Sequence, residues 1–202
     1  MTGNQRKLVF YGAISVDGYL ARKNHSLDWL LGTEGEEDMG YPDFYATIDS
    51  ILMGKKTYDQ ILLQVPGEFP YKEKKCYVFS RSTSGSTNYV DFINEDIVAF
   101  TKVLKRQSGK RIWMMGGGEV LYPLIQEKLV DEFILQIAPS IIGHGIPLFI
   151  PGDQENKLKL IDVKHYKQLV ELHYVLKEPV GRVCVRQKML INETRTWRNT
   201  ND

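Results

Sequence analysis

Apolar runs that stop abruptly at glycines, hydroxyls or cations occur three times in this chain, and each ending is suited to an anion. The clearest is Ile112-Trp113-Met114-Met115-Gly116-Gly117-Gly118-Glu119, where an apolar run meets three glycines and opens into a helical pattern that includes Val120. Glycines let backbone approach a ligand closely, and the free N–H groups of a helix start attract phosphate. A plain strand-to-helix turn is the alternative, although one or two glycines would serve it. The stretch is neither the G-x-G-x-x-G fingerprint nor a Walker motif. The second is Ser50-Ile51-Leu52-Met53-Gly54-Lys55-Lys56-Thr57-Tyr58. Cations at a helix N-terminus oppose the macrodipole, so Lys55 and Lys56 are either solvated or answered by an anion such as phosphate. The third, Tyr77-Val78-Phe79-Ser80-Arg81-Ser82, ends in hydroxyls and an arginine suited to a phosphate on a ribose. Together they point to one extended, multiply phosphorylated ligand, and a dinucleotide fits better than a sugar phosphate.

Other residue types carry weaker chemistry. Trp29, Tyr41, Phe44 and Tyr45 could stack a flat heterocycle or fill a core. Asp17 reads first as a turn residue beside Gly18 and second as a ligand contact. His25, His144, His165 and His173 form no local cluster and receive no catalytic role. Cys76 and Cys184 lie far apart without metal-ligand spacing, so free thiols and no metal site are expected.

The elements that would position these groups are those of one α/β domain. The chain has 202 residues, of which 43% are hydrophobic and 25% charged, enough to bury a real core. Lys and Arg number 26 against 25 Asp and Glu, so no global charge excess points to nucleic acid or an anionic membrane. The N-terminal apolar run turns polar at Asp17, too soon for an export signal or a membrane span, which makes a cytoplasmic protein the expectation. Strand-length runs occur at Leu8 to Ile14, Ser50 to Met53, Cys76 to Phe79, Ile112 to Met115 and Phe133 to Ala138. Several lack alternation, as in strands buried on both faces of a sheet with parallel members. Helical spacing runs over Thr57 to Gln64, over Asn94 to Gln107 with Asn94 as the expected cap, and from Glu119 to about Lys128 with Pro123 in its first turns. Leu158 to Val163 and Glu171 to Leu176, joined through Tyr166 to Leu169, predict an antiparallel hairpin at a sheet edge. Residues 1–177 form the expected domain, and the basic, polar residues 178–202 an extension, partly disordered, in which Val180 to Val185 could add an edge strand.

The same residues carry a family resemblance. Ala13-Ile14-Ser15-Val16-Asp17-Gly18-Tyr19-Leu20-Ala21, Asp49 to Tyr58, Met114 to Gly118, Ala138-Pro139-Ser140-Ile141-Ile142-Gly143 and Gly145-Ile146-Pro147-Leu148-Phe149 occur in the order found in the dihydrofolate reductase fold family. Within it the chain most resembles the reductase domain of the bacterial riboflavin-pathway deaminase-reductase and its short stand-alone relatives. The resemblance implies a three-layer α/β fold: a mixed, mostly parallel sheet, helices on both faces and a C-terminal antiparallel hairpin.

It also implies NADPH as hydride donor. Ala13, Ile14, Gly18 and Leu20 would lie beside the nicotinamide, Gly54, Lys55, Lys56 and Thr57 on the phosphates, and Ser80 and Arg81 near the adenosine 2′-phosphate. Met115, Gly116, Gly117, Gly118, Glu119 and Val120 would hold the pyrophosphate, with a cis peptide between Gly116 and Gly117. Folate-reducing members fix a pterin with a carboxylate on the first helix, for which Asp38 and Asp43 are the candidates here. Trp29, Tyr41, Phe44 and Gln136 are the substrate-side candidates, Gln136 being equally readable as a satisfied polar core residue. The zinc deaminase signature, H-x-E followed by P-C-x-x-C, is absent from the chain. The expected activity is reduction of a small heterocyclic or ribosyl substrate resembling that of 5-amino-6-(5-phosphoribosylamino)uracil reductase. A dihydrofolate or pterin reductase, or a nucleotide-binding protein without catalysis, are the alternatives. A homodimer is left open, since the sequence does not show which sheet edge is covered.

Overall fold

Short apolar runs separated by helical spacing dictate alternation of strands and helices, and the computed structural model shows it over residues 5–37, 39–65, 67–153 and 155–177. Strand β1 (Leu8–Ser15) turns at Gly18 into a short β2 (Tyr19–Ala21), and a run of turns leads to α1 (Tyr41–Ala46). β3 (Ile48–Gly54), α2 (Lys55–Gln64), β4 (Lys75–Phe79), β5 (Gly85–Ser86), β6 (Val90–Ile93) and α3 (Ile97–Arg106) follow. Then come β7 (Arg111–Gly116), α4 (Gly118–Gln126), β8 (Glu132–Ala138), β9 (Ile146–Pro147), β10 (Leu158–Tyr166) and β11 (Leu169–Leu176).

The main sheet has the order β10-β11-β8-β1-β7-β3-β4-β6-β5, and β2 pairs with β9 separately. β1 is parallel to β7 and β8, β3 to β4 and β7, and β4 to β6. β11 runs antiparallel to both β8 and β10, so the hairpin closes one edge.

Successive side chains of a strand face opposite ways, and both faces of the central strands are apolar. Leu8, Phe10, Leu52, Ile112 and Met114 meet Leu104 of α3 and Leu121 and Leu124 of α4. On the other face Val9, Tyr11, Ile51, Met53 and Trp113 meet Phe44 of α1, with Tyr58 and Ile61 of α2 packed alongside. Each fully buried side chain of this size contributes about 1.5–3 kcal/mol. The result is three layers.

Charges at the amino ends of the strands are paired within the chain. Buried Arg6 reaches Asp49, the Ser50 hydroxyl and the Lys110 carbonyl. Glu132 accepts from Lys7, Arg111 and His173, and Lys105 donates to Asp131 at 2.5 Å. The open polar groups therefore lie at the carboxyl ends.

Some local expectations change. Asp96, not Asn94, caps α3 by accepting from the Ala99 N–H at 2.8 Å. Pro123 sits in the second turn of α4, where its ring removes the donor that would meet the Glu119 carbonyl. β2, β5, β6 and β9 are too short for a periodic signal. The proposed extension, residues 178–202, and Asp38 lie outside the described residues.

Candidate active site

Because β1, β3, β4 and β7 run parallel and adjacent, their carboxyl ends bring Ala13, Gly54, Ser80 and Gly116 to one cleft. Its volume, about 1150 Å³, suits an extended ligand. Open α/β sheets place ligands at this end of the strands.

Two helices begin in the cleft without a side-chain cap. α2 starts after Gly54 and α4 after Gly117, both extended residues that leave first-turn N–H groups free of side-chain partners. The glycines serve different ends. A Cβ on Gly54 would stand 3.1 Å from Val120 Cγ2, and one on Gly118 would stand 2.9 Å from the Pro147 carbonyl oxygen, so both are needed for close packing. Gly116 has φ +150°, a backbone conformation L side chains avoid, and the Gly116–Gly117 peptide is cis, as the resemblance implies. Gly117 has no such constraint. A Cβ there would meet the Thr57 hydroxyl at an ordinary 3.7 Å and otherwise occupy the cleft. That open cradle, between two uncapped helix starts and beside a hydroxyl, fits a pyrophosphate.

The two lysines are answered from within the chain. Lys55 pairs with Asp59 at 2.5 Å and Lys56 with Glu119 at 3.3 Å. Both side chains still line the cleft. Ser80 is buried and its hydroxyl accepts from the Ser82 and Thr83 N–H groups, a turn that presents Arg81. Arg81 is exposed along the same cleft and has no carboxylate partner among the described residues.

Of the other expected residues, Ala13, Leu20, Met115, Glu119 and Val120 line the cleft, whereas Ile14 is buried in the core. Gly18 frames the site instead: its N–H bonds the Ser15 carbonyl and its carbonyl accepts from Leu148. Asp17 accepts from the Ser15 hydroxyl at 2.6 Å and from the Ile142 and Gly143 N–H groups, tying two loops together. Hydrogen bonding to Ser15 chiefly holds its carboxyl below the usual range.

The substrate-side candidates do not converge there. Phe44 is buried and stacked on Tyr11 at 4.0 Å, and Tyr41 stacks on Tyr45 at 5.4 Å. Trp29 is buried against Ala138 and Leu169. Gln136 is 1% exposed and donates to Tyr11 Oη, the Met39 carbonyl and Glu171, so it is a satisfied core residue. Burial pushes the Tyr11 phenol up to about 12. Asp43 is an exposed first-turn residue of α1 and not part of the cleft wall.

Sequence reasoning missed a second wall. Lys23, His25, Leu27 and Leu30, from the strap after β2, line the cleft with Gly145, Ile146 and Pro147. The latter belong to a stretch legible as family-like, but no spacing assigns it a role. Tyr71, from an aperiodic turn, also lines it, and burial pushes its phenol up to about 12. Among the described residues no group of three or more His, Cys, Asp or Glu could hold a metal ion, and no helix is long and apolar enough to cross a membrane.

Known proteins resemble this chain. The protein YwjB of Bacillus subtilis is 45% identical over 172 residues, covering 85% of this chain and 98% of its own. YyaP of the same organism is 36% identical over 187 residues, covering 86% and 98%. A putative riboflavin biosynthesis protein from Shewanella superposes with a TM-score of 0.76 at 24% identity, over 85% of this chain and 99% of that one. The Thermotoga maritima diaminohydroxyphosphoribosylaminopyrimidine deaminase/5-amino-6-(5-phosphoribosylamino)uracil reductase gives 0.67 at 13% identity, over 87% of this chain and 58% of that one. The family model of the RibD C-terminal domain matches residues 6–173. With its three-layer, dihydrofolate reductase-like fold and the glycine cradle inside the matched span, the chain belongs to the RibD C-terminal domain family.

Proposed function

We propose that this protein is an NADPH-dependent reductase of a small heterocyclic or ribosyl substrate, resembling 5-amino-6-(5-phosphoribosylamino)uracil reductase. Membership of the RibD C-terminal domain family supports a reductase related to riboflavin biosynthesis. The observation that carries the cofactor reading is the open cradle at Gly117, between the uncapped starts of α2 and α4.

In this reading the first-turn amides of α4 and the Thr57 hydroxyl hold the pyrophosphate. Arg81, exposed and without a carboxylate partner among the described residues, takes the 2′-phosphate. Ala13, Leu20 and Met115 form an apolar wall that orients the nicotinamide and excludes water. When bound, NADPH supplies the hydride. Tyr71 keeps its proton well into the alkaline range, burial having pushed its phenol up to about 12. Glu95 and Glu119 are the carboxylates among the described residues that line the cleft; Glu95 precedes the Asp96 cap of α3 and Glu119 lies in the first turn of α4. A pterin-fixing carboxylate from the first helix has no support in the placement of Asp43.

Titration of the purified protein with NADPH and with NADH, followed by nicotinamide fluorescence, tests the reading. Saturable binding that prefers NADPH is expected, with NADPH oxidation on addition of a pyrimidine ribosyl phosphate. Absence of binding by either nucleotide overturns the cofactor reading, and binding without turnover of any acceptor overturns the enzyme reading.

A further inference from the structure

The cleft extends beyond the groups that would hold a dinucleotide. Its volume of about 1150 Å³ exceeds the roughly 300–1,000 Å³ of a single-ligand pocket, which leaves room for a second molecule. Thr57, Gln60, Ile61 and Gln64 all line it. Their spacing puts them on one stripe of α2, which starts at the glycine cradle and runs about 10 Å along the helix axis away from it. Leu27 and Leu30 of the strap line the same cleft. Neither the α2 stripe nor the strap contributes a carboxylate to the lining, so a cationic ring would find no counter-charge there.

Tyr71 joins this lining from the segment before β4. Its ring is held edge-on by Trp113 at 5.7 Å and Phe69 at 5.6 Å, and Trp113 lies two residues before Met115 on β7. Tyr11, in the same aromatic cluster, has its hydroxyl satisfied inside the protein: it accepts from Gln136 and donates to the Met39 carbonyl. The Tyr71 hydroxyl has no hydrogen-bond partner among the described residues, yet it is not sealed in the core, so it opens to the cleft. A largely buried phenol normally finds a partner. Burial, reinforced by Tyr45 and Cys76 nearby, pushes this phenol up to about 12 and so keeps it a donor.

We propose that Tyr71 is a specificity-determining residue of this site, its hydroxyl donating a hydrogen bond to a carbonyl oxygen or ring nitrogen of an uncharged heterocycle held between α2 and the strap. This role rests on the reductase reading of the same cleft and adds to it the group that recognises the ring. Gln60 and Gln64 each offer an amide donor and acceptor, which match the alternating polar edge of a lactam-type ring, and neither amide has a partner among the described residues. Leu27, Leu30 and Ile61 supply apolar cover for its faces. A ring without a polar edge would leave the phenol desolvated and unpaired, which costs more than the loss of an ordinary contact. Discrimination therefore follows from the one hydroxyl.

Isothermal titration calorimetry of the full chain tests this with two probes, 5-aminouracil and aniline, the second a ring of similar size that bears the amine but no carbonyl. NADP+ is present, so that no turnover intervenes. The wild type should bind 5-aminouracil about tenfold or more tighter than aniline. Tyr71→Phe keeps the ring contacts with Trp113 and Phe69, so it should weaken 5-aminouracil about tenfold and leave aniline, NADPH affinity and melting temperature nearly unchanged. Equal affinity of wild type and variant for 5-aminouracil overturns the proposal, and so does a wild type that does not bind it at millimolar concentration. NADPH titration of the same preparation separates the two failures. If NADPH binds, the role of Tyr71 falls alone; if it does not, the reductase reading falls with it.

Discussion

Lys56 and Glu119 form a 3.3 Å ion pair that spans the cleft between the first turns of α2 and α4. Both side chains are well exposed, so the pair adds little to stability. Its consequence is for binding, because Glu119 occupies the lysine that an incoming phosphate would use and adds negative charge beside the cradle. Glu119→Gln should tighten NADPH binding several-fold at low ionic strength, and salt should erase the gain. Fluorescence titration at two salt concentrations checks this.

Gly117 and Gly118 adjoin in sequence but should fail in different ways. Gly117→Ala places a methyl in the cradle at backbone angles alanine tolerates, so NADPH affinity should fall about tenfold or more with the melting temperature nearly unchanged. Gly118→Ala drives a Cβ to 2.9 Å from the Pro147 carbonyl oxygen. That variant should lose about 1–3 kcal/mol of stability through overpacking. Thermal denaturation and nucleotide titration of both variants separate the two roles.

Arg81→Ala should weaken NADPH about tenfold or more while leaving NADH nearly unaffected, since one charge-assisted contact is removed from the 2′-phosphate alone. Equal losses for both nucleotides would show that Arg81 does not read that phosphate.

Glu132 sets an acid limit on stability. Burial alone would raise its carboxyl, but the Lys7 hydrogen bond, the Arg111 and Lys7 charges and His173 outweigh it and hold the group below its ordinary 4.5. A carboxyl lowered on folding contributes stability that is present above the unfolded value and lost as pH falls through the folded one. Urea denaturation should therefore show wild-type stability declining below pH 4.5, a decline that Glu132→Gln should reduce. At neutral pH the same substitution should cost about 1–3 kcal/mol, because it removes the carboxylate partner of the part-buried Arg111.

The glycine-lined side of the cleft was legible because strand, glycine and helix start are adjacent in sequence. Gly54 to Thr57 and Gly116 to Val120 each form a self-contained local geometry. The aromatic candidates misled for a related reason: Trp29, Phe44 and Tyr41 have residue types that suit a ligand and a core equally, and type alone does not choose. Asp43 shows the same ambiguity, since a carboxylate in a first turn answers the helix dipole whether or not a substrate is near.

The sequence by itself determined the alternation of strands and helices, the edge hairpin and the three strand endings in glycines, hydroxyls or cations, all of which follow from periodicity and contacts within a few residues. Only the tertiary structure decided which endings share a cleft, because parallel order β1-β7-β3-β4 joins segments separated by tens of residues. It also decided that Glu119 answers Lys56, and that the strap at Lys23 to Leu30 forms the second wall. Those contacts depend on how layers stack and which loops cross, and no short window of sequence records them.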